Sequence, residues 1–321
     1  MKKECVAGFN LIEAYASAQA AIERIEERRR LSPVRHAWKV RMAIAERQAL
    51  SRIDGYPLDI DDIQVNGRGI VSASQYALTR YGQAIGKAIT LNELITQPHA
   101  VLSWLGMESE NGFCDTSVSN VTSWQSNIAI LPPAPPLLQS AIFAYRWMKL
   151  RPLGRGDVVA GLLAGDRWGP GRWVGSSGGL TALGLEALQS GWRNLNEEDF
   201  TRTWLTAISR GATTHLDMEM RLRSFASRAS AALQGRKRMG NMQDLLHLAM
   251  SRPRLTSRVV SLDLKITPAG AIKLLTMATE IGLLIEQTGH STYRSYSIPV
   301  ASPSARNETN ASLDALDPYS A

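Results

Sequence analysis

The feature that most constrains this 321-residue sequence is the punctuation between Gly240 and Ile298. GNMQDLLHLAM places Met242, Leu245, Leu246 and Ala249 at helical spacing, and Pro253 stops the run. Thr256 or Ser257 then caps a second short helix, SRVVSLDL, and Lys265-Ile266 make a turn. Thr267 is a good N-cap and Pro268 suits a first helical position. The helix they open sets Ala271, Leu274, Leu275, Ala278 and Ile281 on one face and ends at Gly282. LLIEQTG and TYRSYSIP follow, β-favouring flanks around a Gly-containing turn, which is a hairpin signature.

Three short helices followed by a hairpin is the order of a winged helix-turn-helix. In that arrangement the third helix enters the DNA major groove and the wing lies along the backbone. On this reading Thr267, Ala269, Gly270, Lys273, Thr276 and Met277 face outward. Lys273 and Thr276 would reach phosphates or base edges. Arg254 and Arg258 would meet phosphates from the second helix, and Tyr293 and Arg294 would stand on the wing. Charge agrees. Between Arg221 and Val300 there are twelve basic and four acidic residues, a net of +8 against +7 for the whole chain. Such an excess points to a polyanionic partner, nucleic acid first and anionic membrane second. Winged helices also dock proteins, and this outward face holds a single Lys beside Gly and Ala. Backbone contact is therefore expected to dominate, with an affinity that falls steeply with salt.

Before residue 283 strand signals are almost absent, so the fold class is mainly α. Apolar spacing predicts a helix over 10–30, then a second from Ser32-Pro33 to about Asp54-Gly55. PLDIDDI reads as a short capped helix or turn, and helices are expected over Ser74–Ile85 and Leu91–Leu105. A long loop is expected at about 106–136, made of MESENGFCDTSVSNVTSWQSN and the stiff connector LPPAPPLL. Helical runs LLQSAIFAYRWMKL and DVVAGLLAG flank a turn at Arg151–Gly154. GDRWGPGRWVGSSGG reads as a flexible surface loop before LTALGLEALQSGW, and one or two long helices span Glu197 to Gln234. The expected domains are an N-terminal helical region (1–65), a central helical body (66–235), a winged helix (238–300) and a disordered tail (301–321).

The stretch AIERIEERRRLSPVRHAWKVRMAIAERQALSRIDGYPLDIDDI resembles the N-terminal helical region of the Fic family, whose active members transfer AMP to hydroxyl side chains. SRIDG at 51–55 is the counterpart of the family's SxIEG element, and Trp192–Leu233 resembles the helices that follow its core. The resemblance implies a Fic-like helical body. The family's HPFxDGNGRxxR motif has RPLGRGDVVAGLL, residues 151–163, as its nearest segment, with Arg151 where the histidine base belongs. An arginine stays protonated at pH 7 and cannot serve as a base. No catalytic residue is therefore expected. A divergent nucleotidyl or phosphoryl transferase acting through Arg155 and Asp157 is the enzymatic alternative. The chain also resembles a poorly characterised group from plasmid-bearing soil bacteria that joins a domain of unknown function to a C-terminal helix-turn-helix DNA-binding domain. That resemblance implies a transcriptional regulator.

Other patterns carry less. No GK[ST] follows any Gly-rich stretch, though GPGRWVGSSGG with Arg167 and Arg172 is a conceivable anion cradle. His215 and Glu219 have a metal-compatible spacing but no third ligand, so a solvated face or a His–carboxylate pair is expected. Cys5 and Cys114 lie far apart, and neither a disulfide nor a zinc site is read from them. No cofactor, metal, membrane span or signal segment is expected, and the expected location is cytoplasmic. A homodimer is expected by analogy with winged-helix regulators on palindromic sites.

Overall fold

The computed structural model describes residues 2–55, 57–58, 63–65, 71–73, 89–108, 112–154, 157–174, 179–188, 191–234, 240–288 and 294–299, with no side chains for 2–9, 63–65, 71–73 and 173–174. The described residues are mainly helical, and a small antiparallel two-stranded sheet lies near the C-terminal end. No described helix is long and apolar enough to cross a membrane. The expected helix over Ser74–Ile85, most of PLDIDDI and the tail 301–321 lie outside the described residues. Packing divides the chain into two units. One holds Met1–Arg29, Glu46–Gln64 and Val71–Thr214; the other holds Arg30–Ala45, Val65–Ile70 and His215–Ala321.

In chain order the first elements are α1 (Lys2–Leu31), α2 (Arg35–Ile53), β1 (Ile63–Val65), β2 (Val71–Ala73), α3 (Leu91–Thr96) and α4 (Pro98–Trp104). They are followed by α5 (Asp115–Ala129), α6 (Pro136–Leu150), α7 (Asp157–Trp168), α8 (Gly171–Val174), α9 (Leu180–Glu186) and α10 (Glu197–Leu233). The first unit is built around an aromatic core, with Trp124 of α5, Trp147 of α6 and Phe200 and Trp204 of α10 all essentially inaccessible. Trp124 and Trp147 meet edge to face with ring centroids 4.8 Å apart. Each such ring contributes on the order of 1.5–3 kcal/mol by leaving water. Their polar tips are satisfied: Trp124 Nε1 donates to Phe143 O, Trp147 Nε1 to Asp157 and Trp204 Nε1 to Ser140 Oγ.

Close backbone approach decides how these helices pack. A Cβ at Gly165 of α7 would stand 2.7 Å from Ser140 O and 2.8 Å from the Trp204 ring. At Gly184 of α9 it would stand 1.8 Å from Ala207 O. Only a residue without a side chain lets the helices meet there.

Several expectations for this unit are corrected. The loop foreseen at about 106–136 contains α5, whose apolar positions Val121, Trp124 and Ile128 recur at helical spacing and are buried, with Gln125 donating to Leu94 O. Ser, Thr and Asn on its other face had masked that stripe. The connector is shorter than read, because Pro136 opens α6 as its first residue. The single helix foreseen over Leu91–Leu105 is two, since Pro98 cannot donate to a continuing ladder and starts α4. β1 and β2 form a second two-stranded sheet where no strand was foreseen. The Gly-rich run is not a flexible surface loop as far as it is described: Gly169, Pro170 and Gly171 are buried, and a Cβ at Gly179 would stand 2.4 Å from that of Glu46. Glu197–Leu233 is one helix of 37 residues.

The second unit comprises the Arg30–Ala45 portion of the first two helices, Val65–Ile70, and the chain from His215 in α10, with five elements read from the punctuation above. These are α11 (Met242–Ser251), α12 (Ser257–Leu264), α13 (Pro268–Glu280) and the antiparallel pair β3 (Ile285–Glu286) with β4 (Tyr296–Ser297). Its core gathers Met242, Leu245, Leu255, Val260, Leu275 and Ile298. Arg41 is buried here, and its guanidinium donates from Nε to Met250 O and from Nη2 to Ala249 O, both at 2.8 Å. It thereby caps the carbonyl end of α11, which no intrahelical partner serves. Burial draws its pKa down to about 9, so it remains a cation at neutral pH, as suits the negative end of a helix dipole.

Candidate nucleic-acid interface

The caps that fix this surface are local and legible. Thr256 extends ahead of α12 and accepts the Val259 N–H; Thr267 does the same for the Gly270 N–H ahead of α13, with Pro268 at the first helical position. Gly282 takes φ +72° just beyond α13. It turns the chain toward Leu283 and Leu284, whose N–H groups close on Ala278 O. Ile281, expected on the inner face, is instead the half-buried cap residue. The strand register is Ile285 opposite Ser297 and Glu286 opposite Tyr296. Leu255, between α11 and α12, adds a third rung by exchanging both backbone hydrogen bonds with Tyr296. That rung was not foreseen, because one bridged residue leaves no period in a sequence.

α13 buries Ala271, Leu274, Leu275 and Ala278, which fixes its opposite face. Ala269, Lys273 and Thr276 lie there exposed, with Gly270 and Met277 half-buried at the margins. Ile272 was missed and is 53% exposed on the same side. It falls three residues after Ala269 and four before Thr276, so helical spacing alone could have found it. Glu280 also lies exposed on this face and dilutes its positive charge.

The remaining site residues divide. Arg258 is exposed in the first turn of α12. A cation at a helix's positive end gains nothing from the dipole, so its placement is not explained by helix stability. Arg254 is half-buried and precedes the second helix in the Leu255 segment, contrary to the expectation that it sits on that helix. Arg294 is exposed beside β4, but Glu286 on the paired strand lies 3.5 Å from its Nε. Arg252 is likewise held by Asp263 at 2.7 Å. Arg258, Lys265 and Lys273 are exposed and have no ion-pair partner among the described residues. Tyr293 lies outside the described residues. Thr267 is exposed, with its oxygen engaged by the cap.

Dividing the charge by unit sharpens the sequence count. The second unit holds 18 basic and 9 acidic residues, a net of +9, and the first holds 18 and 20, a net of −2. Arg30–Ala45 alone supplies Arg30, Arg35, Lys39 and Arg41 without one acidic residue.

The other candidate sites are structural where described. Asp157 begins α7, and its Oδ1 accepts from Trp147 Nε1 and Leu153 N. Burial, opposed by these hydrogen bonds, raises its pKa. Arg155 lies outside the described residues. Arg151 is the left-handed C-cap of α6 at φ 48°. Arg167 donates to Ile89 O, and Arg172 donates to Trp168 O and stacks on its ring, so both guanidiniums are engaged within the protein. His215 and Glu219 are buried rather than solvated; Glu219 accepts from Ser32 Oγ at 2.8 Å, and His215 stands edge-on to Trp38. No group of three metal-ligating side chains comes together among the described residues.

Comparison with known proteins adds a distant relative. Over 188 residues, 56% of this chain, the sequence is 25% identical to the uncharacterized protein y4cF of Sinorhizobium fredii (strain NBRC 101917 / NGR234). The chain spans about half the length of that relative, 47% of it. No family model matches.

Proposed function

We propose that this protein is a DNA-binding transcriptional regulator whose C-terminal unit acts as a winged helix-turn-helix. The observation that carries the reading is the solvent face of α13. Its opposite side is fully occupied by the core, its N-terminus is capped, and Lys273, Thr276 and Ile272 project where a major groove would lie. The +9 charge of the unit suits a phosphate backbone. Arg258 and Lys273 are assigned to phosphates, Thr267 and Thr276 to phosphate or base edges, and Ile272 to apolar contact such as a thymine methyl. Arg254 and Arg294 take supporting places. The helical body then serves a non-catalytic role, and two copies on a palindromic site is the expected assembly.

A second reading has its own observation. Ile272, half exposed on α13, and Glu280 two turns further along the same face also suit a protein partner. Fluorescence anisotropy of the full chain on a labelled duplex from upstream of its own gene separates the two. DNA binding predicts an affinity that falls with salt, with a log–log slope of roughly −0.9 per phosphate neutralised. Lys273→Glu and Arg258→Glu should each weaken binding at least tenfold and flatten that slope. Wild-type protein that shows no binding at 50 mM salt, roughly the lower end of the range where such contacts are strongest, would favour the docking module.

A further inference from the structure

The second unit contains a solvent-open cleft of about 660 Å³ that the DNA reading leaves unused. Its volume falls within the range of small-molecule sites, roughly 300–1,000 Å³. Val34, just ahead of α2, and Ala37 and Val40 in its first two turns form an apolar floor together with Met250 and Leu264. The rim is polar: His36, Asp244, His247, Arg252, Asp263 and Lys265.

The geometry points to this cleft as the binding site of a small amphipathic organic anion, an aromatic or medium-chain carboxylate. The rim's two acidic charges are already answered. Asp263 is paired with Arg252 at 2.7 Å, and Asp244 sits in the first turn of α11, where the helix dipole favours it. Lys265 is exposed with no ion-pair partner among the described residues, and His36 and His247 bring further nitrogen donors. The long-range field of a unit carrying +9 acts in the same direction. An incoming carboxylate therefore meets Lys265 while its apolar body covers Val34, Ala37 and Val40. Metal binding does not compete as an explanation, because the rim's histidines and carboxylates form no ligand set.

Lys265 is also the left-handed C-cap of α12 at φ 55°, in the turn that leads to α13. A ligand anchored there touches the turn that aims the outward helix. The consequence for DNA rests on the reading proposed above, whereas the anion site itself does not.

The test uses the full-length protein and 8-anilinonaphthalene-1-sulfonate, an aromatic anion whose fluorescence reports binding. Octanoate should displace the probe, and octylamine, of equal chain length and opposite charge, should not. Ala37→Trp, which fills the floor, and Lys265→Glu, which reverses the anchor, should each weaken probe binding tenfold or more. Lys149→Glu, in the other unit, should leave it unchanged. Lys265 is exposed, so its variant remains informative if the floor substitution fails to fold. Displacement by octylamine as effective as by octanoate, or an affinity within twofold of wild type in Lys265→Glu, would overturn the assignment. A parallel anisotropy titration of DNA with and without octanoate keeps the readings separate. Probe displacement as expected with no DNA binding sinks the regulator while the anion site stands.

Discussion

Replacing Arg41 is the most direct probe of how Arg30–Ala45 is tied to the C-terminal helices. Its guanidinium is buried and makes two hydrogen bonds of 2.8 Å to Ala249 O and Met250 O. A hydrogen bond to a charged group contributes about 1.5–3 kcal/mol net of desolvation. Two of them sum to roughly 3–6 kcal/mol by that measure. The lower end is the better expectation, because this cation sits at a helix end without a carboxylate partner among the described residues, and burial already pulls its pKa down to about 9. Arg41→Met keeps most of the aliphatic packing and strands both carbonyls, for an expected loss of about 3 kcal/mol. Arg41→Lys keeps the charge but offers a compact ammonium instead of a fork, and should recover about half of it. Hydrogen exchange of the α11 amides, read by mass spectrometry on the 242–251 peptide, measures the effect locally. A loss of this size accelerates their exchange by about two orders of magnitude. Urea unfolding gives an independent value, and Trp38 is the sole tryptophan of this unit to follow in it. Unchanged α11 exchange together with an unshifted urea midpoint in Arg41→Met would refute the reasoning.

Three further expectations concern other elements. Gly184→Ala drives a methyl to within 1.8 Å of Ala207 O; a loss of about 3 kcal/mol or more, seen as a depressed thermal midpoint, follows from overpacking against backbone. Thr267→Ala removes the N-cap of α13 and should cost about 1 kcal/mol by chemical denaturation, with Thr267→Ser restoring most of it. Asp157 has a folded pKa raised above its unfolded one by burial, so the folded state binds the proton more tightly. Its contribution to stability therefore falls as pH rises from 3.8 through the raised folded value. Comparing urea midpoints at several pH values above 3.8 should show that part of the slope absent in Asp157→Asn, and an identical slope in both proteins would rule the effect out.

What could be read in advance was what is encoded locally. Thr256, Thr267, Pro268 and Gly282 announce helix ends through hydrogen bonds and backbone angles within a few residues, and those ends are where they were placed. Asp115–Ala129 was missed for a related reason: its Ser, Thr and Asn residues have turn chemistry of their own, and they outnumber the three apolar positions that packing rewards. Pro98 should have divided Leu91–Leu105 and was given too little weight. Contacts between distant segments leave no period at all. Neither Arg41 on the α11 carbonyls, nor Ser32 on Glu219, nor Leu255 bridging Tyr296 could be anticipated. At the candidate interface, Lys273, Thr276 and Arg258 were legible from helical phase. The pairing of Arg294 with Glu286 was not, because it depends on the strand register.

The discontinuity of the second unit imposes an order on its biosynthesis. Arg30–Ala45 leaves the ribosome early, and the whole of Glu46–Thr214 is made before the helices it packs with exist. Until α11 is complete, Arg41 has no carbonyls to cap, and the apolar side chains around it remain in water or in temporary company. The basic unit thus closes only after Glu46–Thr214 has been translated. A nascent protein interrupted before about residue 250 would carry its early half unclosed, a natural substrate for chaperones and proteases.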